Sequence, residues 1–153
     1  MGILTTDLCR RFGIEHPIFG FAHDVATVAA ITNAGGLGVY GATRRFPHEI
    51  DDELAEIRRL VGDKPFGVDL VLPDGMPEHH SRAAIEPHLP DEHPHFLKAL
   101  VHQYQVPLPS GPGMRTPYIR SNAIEEAQLE AFLASNAALF AHGTCSPPPA
   151  LQM

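Results

Sequence analysis

Cysteine, basic charge and long apolar runs are all scarce in this chain. Its two cysteines, Cys9 and Cys145, lie far apart and form no C-x-x-C pair, so the sequence indicates neither a zinc site nor a redox motif. Eleven Lys and Arg residues stand against 18 Asp and Glu residues, which gives a formal net charge of −7. An acidic balance without a basic stripe argues against nucleic acid or an anionic membrane as a partner.

The apolar stretches are too short for a membrane. None approaches the ~20 residues that a spanning helix needs, and the first residues lack the apolar core of a signal peptide. We therefore expect a cytoplasmic protein with no membrane partner. Hydrophobic residues nonetheless make up 44% of the 153 residues. A compact chain of this length buries ~70% of its unfolded surface, so we expect a substantial core.

The sequence does contain a repeated alternation of short apolar runs with segments of helical period. Between the first three runs, apolar residues recur at three- and four-residue spacing, which is typical of β-α-β units and a parallel sheet buried on both faces. Such sheets place their chemistry at the carboxyl ends of the strands. The runs predict four strands, which are His16–Phe21, Leu37–Gly41, Phe66–Leu72 and Ala138–Ala141.

The segments of helical period predict the helices. Asp24 can cap the first of them by accepting a backbone N–H, and Gly35 with the glycine after it can end that helix. The second helix carries four apolar residues in a single stripe. In the last helix, Ile124, Leu129 and Phe132 are expected to face inward. The predicted helices are Asp24–Ala34, Pro47–Val61 and Ser121–Ala134, after a short leading turn or helix within residues 4–12.

Residues 73–120 interrupt this rhythm. The stretch carries nine of the 15 prolines and six of the ten histidines, and only Phe96–Tyr104 has a convincing helical pattern. Since βα loops usually have ~2–6 residues, we interpret it as a Pro/His-rich insertion in a single incomplete domain over residues 1–153. His93 and His95 would suit zinc if they lay on a strand, but Pro94 intervenes and no cysteine is near, so we predict no metal site.

Four strand-and-helix units amount to half of a (β/α)8 barrel. Such barrels typically need ~250 residues. The sequence therefore predicts an α/β fold, a partial (β/α)8 barrel of about four parallel strands with flanking helices. A small doubly wound sheet is the alternative, because it also alternates parallel strands with helices.

The stretch Asn33–Ala42 (NAGGLGVYGA), preceded by GIEHPIFGFA and followed by KPFGVDLVLP, resembles the nitronate monooxygenase family. These enzymes, once called 2-nitropropane dioxygenases, are FMN-dependent barrels. The resemblance covers residues 8–73 and, more loosely, 124–148. It implies an FMN cofactor, a small-molecule nitronate substrate, and oxidation of that nitronate by O2 to a carbonyl compound and nitrite. A related NAD(P)H-dependent flavin reductase is an alternative, since the family is related to flavin-dependent enoyl reductases.

The resemblance also assigns residues to the cofactor. It places the backbone of Gly20, Phe21 and Ala22 against the flavin, in a turn that is shorter than the family's usual one. Asp69 stands where family members commonly carry Asn, and an ionised carboxylate can only accept hydrogen bonds where an amide also donates. A carboxylate in an apolar strand is costly unless it is paired or bound to a ligand, so Asp69 is a candidate cofactor-binding residue.

Two histidines are candidate catalytic residues. His23 follows the first strand and could orient the substrate or move a proton, since imidazole changes charge near neutral pH. The alternative is a histidine bonded to a loop carbonyl. His142 ends the fourth strand and could face the flavin, with Gly143 opening the next loop as a further cofactor-binding residue. The alternative for His142 is a simple strand end.

The resemblance implies that the family's usual catalytic histidine lies beyond the fourth strand, and in such barrels the loops after strands seven and eight build the phosphate site. We therefore expect a truncated form, the N-terminal half of a barrel, in which FMN binding is weak or absent. A non-catalytic fragment is the alternative. Such a fragment would associate through its exposed strand edges, as a homodimer.

Overall fold

The computed structural model describes residues 5–79, 81–108, 110–111 and 119–143. Its strands form one parallel sheet in the order β1-β2-β3-β4. The strands are β1 (Phe19–Ala22), β2 (Leu37–Gly41), β3 (Gly67–Leu70) and β4 (Leu139–His142).

Six helices lie in the described parts of the chain. Three of them, α2, α3 and α6, follow or precede strands and pack on the sheet or on one another, and a 3-10 turn at Glu86–His88 adjoins α4. The helices are α1 (Asp7–Phe12), α2 (Val25–Asn33), α3 (Pro47–Val61), α4 (Arg82–Ile85), α5 (Glu92–Gln103) and α6 (Asn122–Ala134). No described helix is long and apolar enough to cross a membrane.

The strand order separates the two predicted architectures. Each strand pairs with the next strand in the sequence, and all pairs are parallel. A doubly wound sheet reverses its strand order at a switch point, whereas a (β/α)8 barrel adds strands in sequence order. The prediction of an α/β fold with four parallel barrel-type strands and flanking helices is confirmed.

The helix-facing side of the sheet carries the main core. Tyr40, Val68 and Leu70 are fully buried there, because side chains alternate along each strand. The four residues of the predicted α3 stripe are buried against them: Ile50, Leu54, Ile57 and Val61. The bounds of α3 and β2 agree with the sequence prediction.

The opposite side, which we call the inner face, is covered only at the amino ends of the strands. Leu37 and Val39 are buried there with Cys9 and Ile14, which belong to the α1 region. Toward the carboxyl ends the inner face is open, and Phe21 is 55% exposed. The described structure therefore leaves uncovered the end of the sheet where chemistry is expected.

Local capping rules place α2. Asp24 accepts a hydrogen bond from the Thr27 backbone N–H at 2.8 Å, so it is the predicted N-cap. Gly35 has a φ of +90°, a conformation that favours glycine, and it turns the chain from α2 toward β2. The prediction for both residues is confirmed.

The buried face of α6 differs from the predicted one. Phe132 is buried as expected, but Ile124 and Leu129 are only half-buried. Glu125 and Gln128 are buried instead. Both polar side chains have tertiary partners, which offset the cost of burying them.

The insertion contains α5, which begins before the predicted Phe96 because Pro94 lies in its first turn, where proline is tolerated. No residue of α5 is buried. His93 and His95 are two residues apart on this helix, so their side chains leave it in different directions. The segment before α4 contacts α6, where the Asn122 N–H donates to the Pro77 carbonyl at 2.9 Å.

Candidate active site

Five residues meet at the carboxyl ends of the strands on the inner face. Asp69 on β3 lies opposite Gly41 on β2 and Ala141 on β4. Phe21 and His23, at the end of β1, lie against Gly41, and Gly143 directly follows β4. We call Phe21, His23, Gly41, Asp69 and Gly143 the inner-face cluster.

His23 has a defined tautomer in this arrangement. Its Nδ1 lies 3.1 Å from the carbonyl oxygen of Gly41. A carbonyl only accepts, so Nδ1 carries the proton and the lone pair resides on Nε2. The ring also contacts Phe21 edge-on, with centroids 4.8 Å apart. The bonded carbonyl belongs to the last residue of β2 and not to a loop, and this bond leaves Nε2 able to accept a proton.

Asp69 is held by its backbone and half-buried at its side chain. The Ala42 N–H donates to the Asp69 carbonyl at 3.0 Å. Burial raises the pKa of the Asp69 carboxyl above its ordinary value, while the charges of His142 and His23 act in the opposite direction. A half-buried carboxyl at a strand end with a raised pKa is a group that can exchange protons or hydrogen-bond a polar ligand.

Two glycines leave space around the cluster. A Cβ at Gly41 would come within 2.5 Å of Phe21 Cζ and 2.7 Å of His23 Nδ1, so the glycine makes room for both rings. At Gly143 the nearest atom to such a Cβ would be Val71 Cγ2 at 3.9 Å. The rings of Phe21 and His23 cover the buried Gly41, whereas Gly143 is partly exposed and has space on the inner face.

Gly20 and Ala22 alternate to the other side of β1. A Cβ at Gly20 would lie 2.7 Å from Ile31 Cδ1 of α2, and Ala22 packs against the helix-side core. Only their backbone is available at the edge of the sheet. A contact between this backbone and a flavin stays a prediction.

His142 is also on the helix-facing side. Its Nδ1 lies 2.8 Å from the Leu70 carbonyl oxygen, and its ring stacks on Phe140 with centroids 5.9 Å apart. The structure therefore brings His23, Phe21, Asp69 and Gly143 together but leaves the His142 ring outside that cluster. Its charge still acts on Asp69.

Sequence reasoning missed a network around the loop between β2 and α3. Arg45 donates from Nε to the hydroxyl of buried Tyr40 at 2.8 Å and forms an ion pair with Glu53 at 3.1 Å. Tyr40 also donates to Glu53. Burial, followed by the bond to Glu53, strongly raises the pKa of Tyr40. The sequence feature that could have indicated this network is an arginine four residues after the end of β2.

The same loop is held from α6 and β3. The amide of Gln128 donates to the carbonyls of Thr43 and Arg45 at 3.1 and 2.6 Å. The Val71 N–H donates to Thr43 Oγ1 at 3.0 Å. We call residues 42–46 the β2–α3 loop, and these bonds fix it beside the inner-face cluster.

A pocket of about 400 Å3 lies outside the cluster, between the end of β3 and α6. Asp74, Glu125 and Glu126 line it, so its charge disfavours a phosphate. Among the described residues, no group of three or more His, Cys, Asp or Glu side chains is arranged to hold a metal ion.

Comparison with known proteins identifies a family for this chain. The nitronate monooxygenase family model matches residues 4–98, which is more than half of the chain. Monooxygenase Rv1533 of Mycobacterium tuberculosis is 34% identical over 112 residues, which cover 68% of this chain and 29% of that protein. A hydroxy-methyl-oxo-octahydro-indene-carboxyl-CoA dehydrogenase of the same organism is 35% identical over 71 residues, or 44% of this chain and 20% of that protein.

A solved structure supports the fold. Nitroalkane oxidase from Streptomyces ansochromogenes superposes with a TM-score of 0.52 at 23% identity, over 90% of this chain and 35% of that one. The chain thus spans about a third or less of the length of the relatives that it matches.

Proposed function

Because this chain belongs to the nitronate monooxygenase family, we propose that its inner-face cluster is one wall of the FMN site of an oxidoreductase. The reaction we propose is oxidation of a nitronate by O2 to a carbonyl compound and nitrite. The observation that carries the proposal is the meeting of His23, Asp69 and two glycines at the carboxyl ends of consecutive parallel strands. The described residues would act as a single domain, with residues 73–120 as an insertion.

The residues of the cluster suit a flat, polar ligand such as a flavin. Gly143 presents backbone without a side chain, Gly41 lets the rings of Phe21 and His23 pack on β2, and the Phe21 ring is exposed. The backbone of Gly20–Ala22 lies along the edge of β1 that pairs with no other described strand. The bound flavin would supply the redox chemistry, and the protein would supply orientation and proton transfer.

Asp69 would bind hydroxyl groups of the cofactor. An ionised carboxylate accepts from hydroxyls but has nothing to donate to ring carbonyls. Since burial raises its pKa, Asp69 keeps its proton to a higher pH than an exposed aspartate does, and the protonated form can also donate. This is how an aspartate could take the place of the amide that family members commonly carry there.

His23 would hold or move the substrate proton. With its Nδ1 proton committed to the Gly41 carbonyl, Nε2 can accept a proton from a nitroalkane or, once protonated, bind a nitro oxygen. His142 would support this end of the site through its bond to the Leu70 carbonyl and its charge near Asp69, rather than by touching the substrate.

The purified chain tests this proposal directly. We expect flavin absorbance to red-shift and sharpen on adding FMN, and nitrite to form when a nitronate is added in air. His23→Gln should lower nitrite formation by about 100-fold, the low end of a general acid–base contribution. Asp69→Ala should weaken FMN binding about tenfold, as expected for one hydrogen bond to a charged group. Glu130→Gln, an exposed change on α6, is the control.

Absence of any flavin spectrum at saturating FMN would contradict the proposal. So would nitrite formation that His23→Gln leaves unchanged. Oxidation of NADH or NADPH by the flavin-loaded chain, without nitrite formation, would instead favour the related flavin reductase. We include this second activity in the test because one of the relatives is named as a dehydrogenase.

Association through strand edges is a second candidate function. In the described residues, β1 pairs only with β2 and β4 only with β3, and Ile18 beside β1 is 60% exposed. Unpaired strand edges next to exposed apolar side chains favour pairing with another chain. Sedimentation should show a concentration-dependent dimer that Ile18→Lys weakens at least tenfold. A monomer at high concentration would exclude this association.

A further inference from the structure

The β2–α3 loop joins the parts of the structure that carry the inner-face cluster. Its Ala42 N–H donates to the carbonyl of Asp69, and its Thr43 hydroxyl accepts from the N–H of Val71, both at the end of β3. Gln128 fixes two of its carbonyls from α6. A change in this loop would therefore reach the cluster through the backbone.

Arg45 of this loop contacts three other residues through its side chain. Its Nε lies 2.8 Å from the Tyr40 hydroxyl and 3.1 Å from a carboxylate oxygen of Glu53. Tyr40 is fully buried and its hydroxyl donates to Glu53, so the three side chains form one connected group. The planar guanidinium can bond several acceptors in fixed directions, which an ammonium group cannot do.

The free end of the guanidinium reaches the turn that carries His23. Arg45 Nη2 donates to the His23 backbone carbonyl at 3.4 Å. The ring of the same residue bonds the Gly41 carbonyl at 3.1 Å. His23 is thus held at two places, and both bonds come from the end of β2 and the loop that follows it.

We propose that Arg45 is a positioning residue for His23, which holds the turn after β1 so that Nδ1 stays on the Gly41 carbonyl and Nε2 remains the proton-accepting nitrogen. The catalytic consequence rests on the proposed function, in which Nε2 handles the substrate proton. The bonds themselves do not depend on a bound flavin. The positioning role can therefore be tested without one.

The tautomer of His23 is the readout. In the full-length chain labelled with 15N, long-range 1H–15N spectra at about pH 8.5, where free imidazole is neutral, show which ring nitrogen carries the proton. We expect the Nδ1–H form to dominate in the unmodified chain. Arg45→Met should lower the ratio of the Nδ1–H to the Nε2–H form about fivefold, which equals one hydrogen bond of about 1 kcal/mol.

Matched variants separate positioning from charge and from folding. Arg44→Met removes the same charge from the neighbouring exposed residue and should leave the tautomer ratio unchanged. Arg45→Lys keeps the charge but loses the planar guanidinium with its several fixed N–H donors, so it should also lower the tautomer ratio. Circular dichroism checks that each variant folds. If Arg45→Met does not fold, the tautomer ratio of His23 in Arg45→Lys tests the proposal instead.

An unchanged ratio in the folded Arg45 variants would overturn the proposal, and so would an equal change in Arg44→Met. FMN titration of the same samples distinguishes this failure from failure of the proposed function. A tautomer ratio that responds to Arg45 in a chain that binds no FMN would support the positioning role and contradict the flavin site.

Discussion

At the scale of single residues, Asp69 is the side chain whose chemistry contrasts most with its strand. The other residues of β3 are Gly67, Val68 and Leu70. Burial raises the pKa of the Asp69 carboxyl, which means that its ionised form costs free energy in the folded protein without a ligand. A site that tolerates such a cost is a candidate functional site.

The pH dependence of stability should report this cost. The native pKa of Asp69 lies above its ordinary value of 3.8. Between the two values the native state binds more protons than the unfolded state, so stability falls as the pH rises through that window. Asp69→Asn should therefore raise the free energy of unfolding at neutral pH, by less than about 1 kcal/mol because the group is partly solvated.

Urea unfolding at pH 7 and at about pH 3, below the ordinary pKa of an aspartate, checks this prediction. The gain should disappear at the lower pH, where both the native and the unfolded aspartate are protonated. Asp52→Asn, an exposed residue of α3, should show no such gain at neutral pH. A gain from Asp69→Asn that is equal at both values would contradict the account.

Local rules predicted some residues from the sequence and not others. Asp24 and Gly35 follow from capping and backbone sterics, which depend only on neighbours in the chain. His142 does not, because the face of a strand residue depends on how the strand pairs with its neighbour. His142 lies opposite Leu70, whose side chain is buried on the helix-facing side, and this register cannot be read from the sequence of β4.

At the scale of elements, α3 and α6 show two sources of helix packing. The stripe of α3 is apolar, so its burial follows from periodicity, and its observed bounds are the predicted ones. The buried face of α6 includes Glu125 and Gln128. Glu125 pairs with Arg120 at 3.1 Å, and Gln128 bonds two loop carbonyls. Arg120 precedes the helix by two residues and the loop carbonyls lie more than 80 residues away in the sequence, so neither partner can be read from the helix alone.

Gln128 should contribute to stability through these bonds. Gln128→Met keeps the approximate volume but removes the amide that donates to Thr43 and Arg45. Since two part-buried carbonyls lose a donor, we expect the free energy of unfolding to fall by about 1–3 kcal/mol.

Urea denaturation of Gln128→Met and of Glu130→Met, at an exposed position of α6, measures the difference. Only the first should move the midpoint substantially, with little change in the slope against urea concentration. Equal midpoints for the two variants would show that the loop does not depend on Gln128.

At the scale of the whole molecule, four consecutive barrel-type strands have their inner face covered by the α1 region at one end and open at the other. The alternation of apolar runs and helices predicts parallel strands but fits both a barrel and a doubly wound sheet, and the observed strand order is that of a barrel. The packing of the insertion could not be predicted from periodicity, because no residue of α5 is buried. The open end of the inner face is where the account places the flavin.

The most direct test of that central claim is a titration of the 15N-labelled chain with FMN, followed in 1H–15N spectra. The account predicts saturable shifts that concentrate on the backbone N–H groups of residues 21–23, 41, 69 and 143. Residues on the helix-facing side, such as Tyr40 and Val68, should move less. Shifts centred on the pocket between residues 72–75 and α6, or no shifts at saturating FMN, would contradict it.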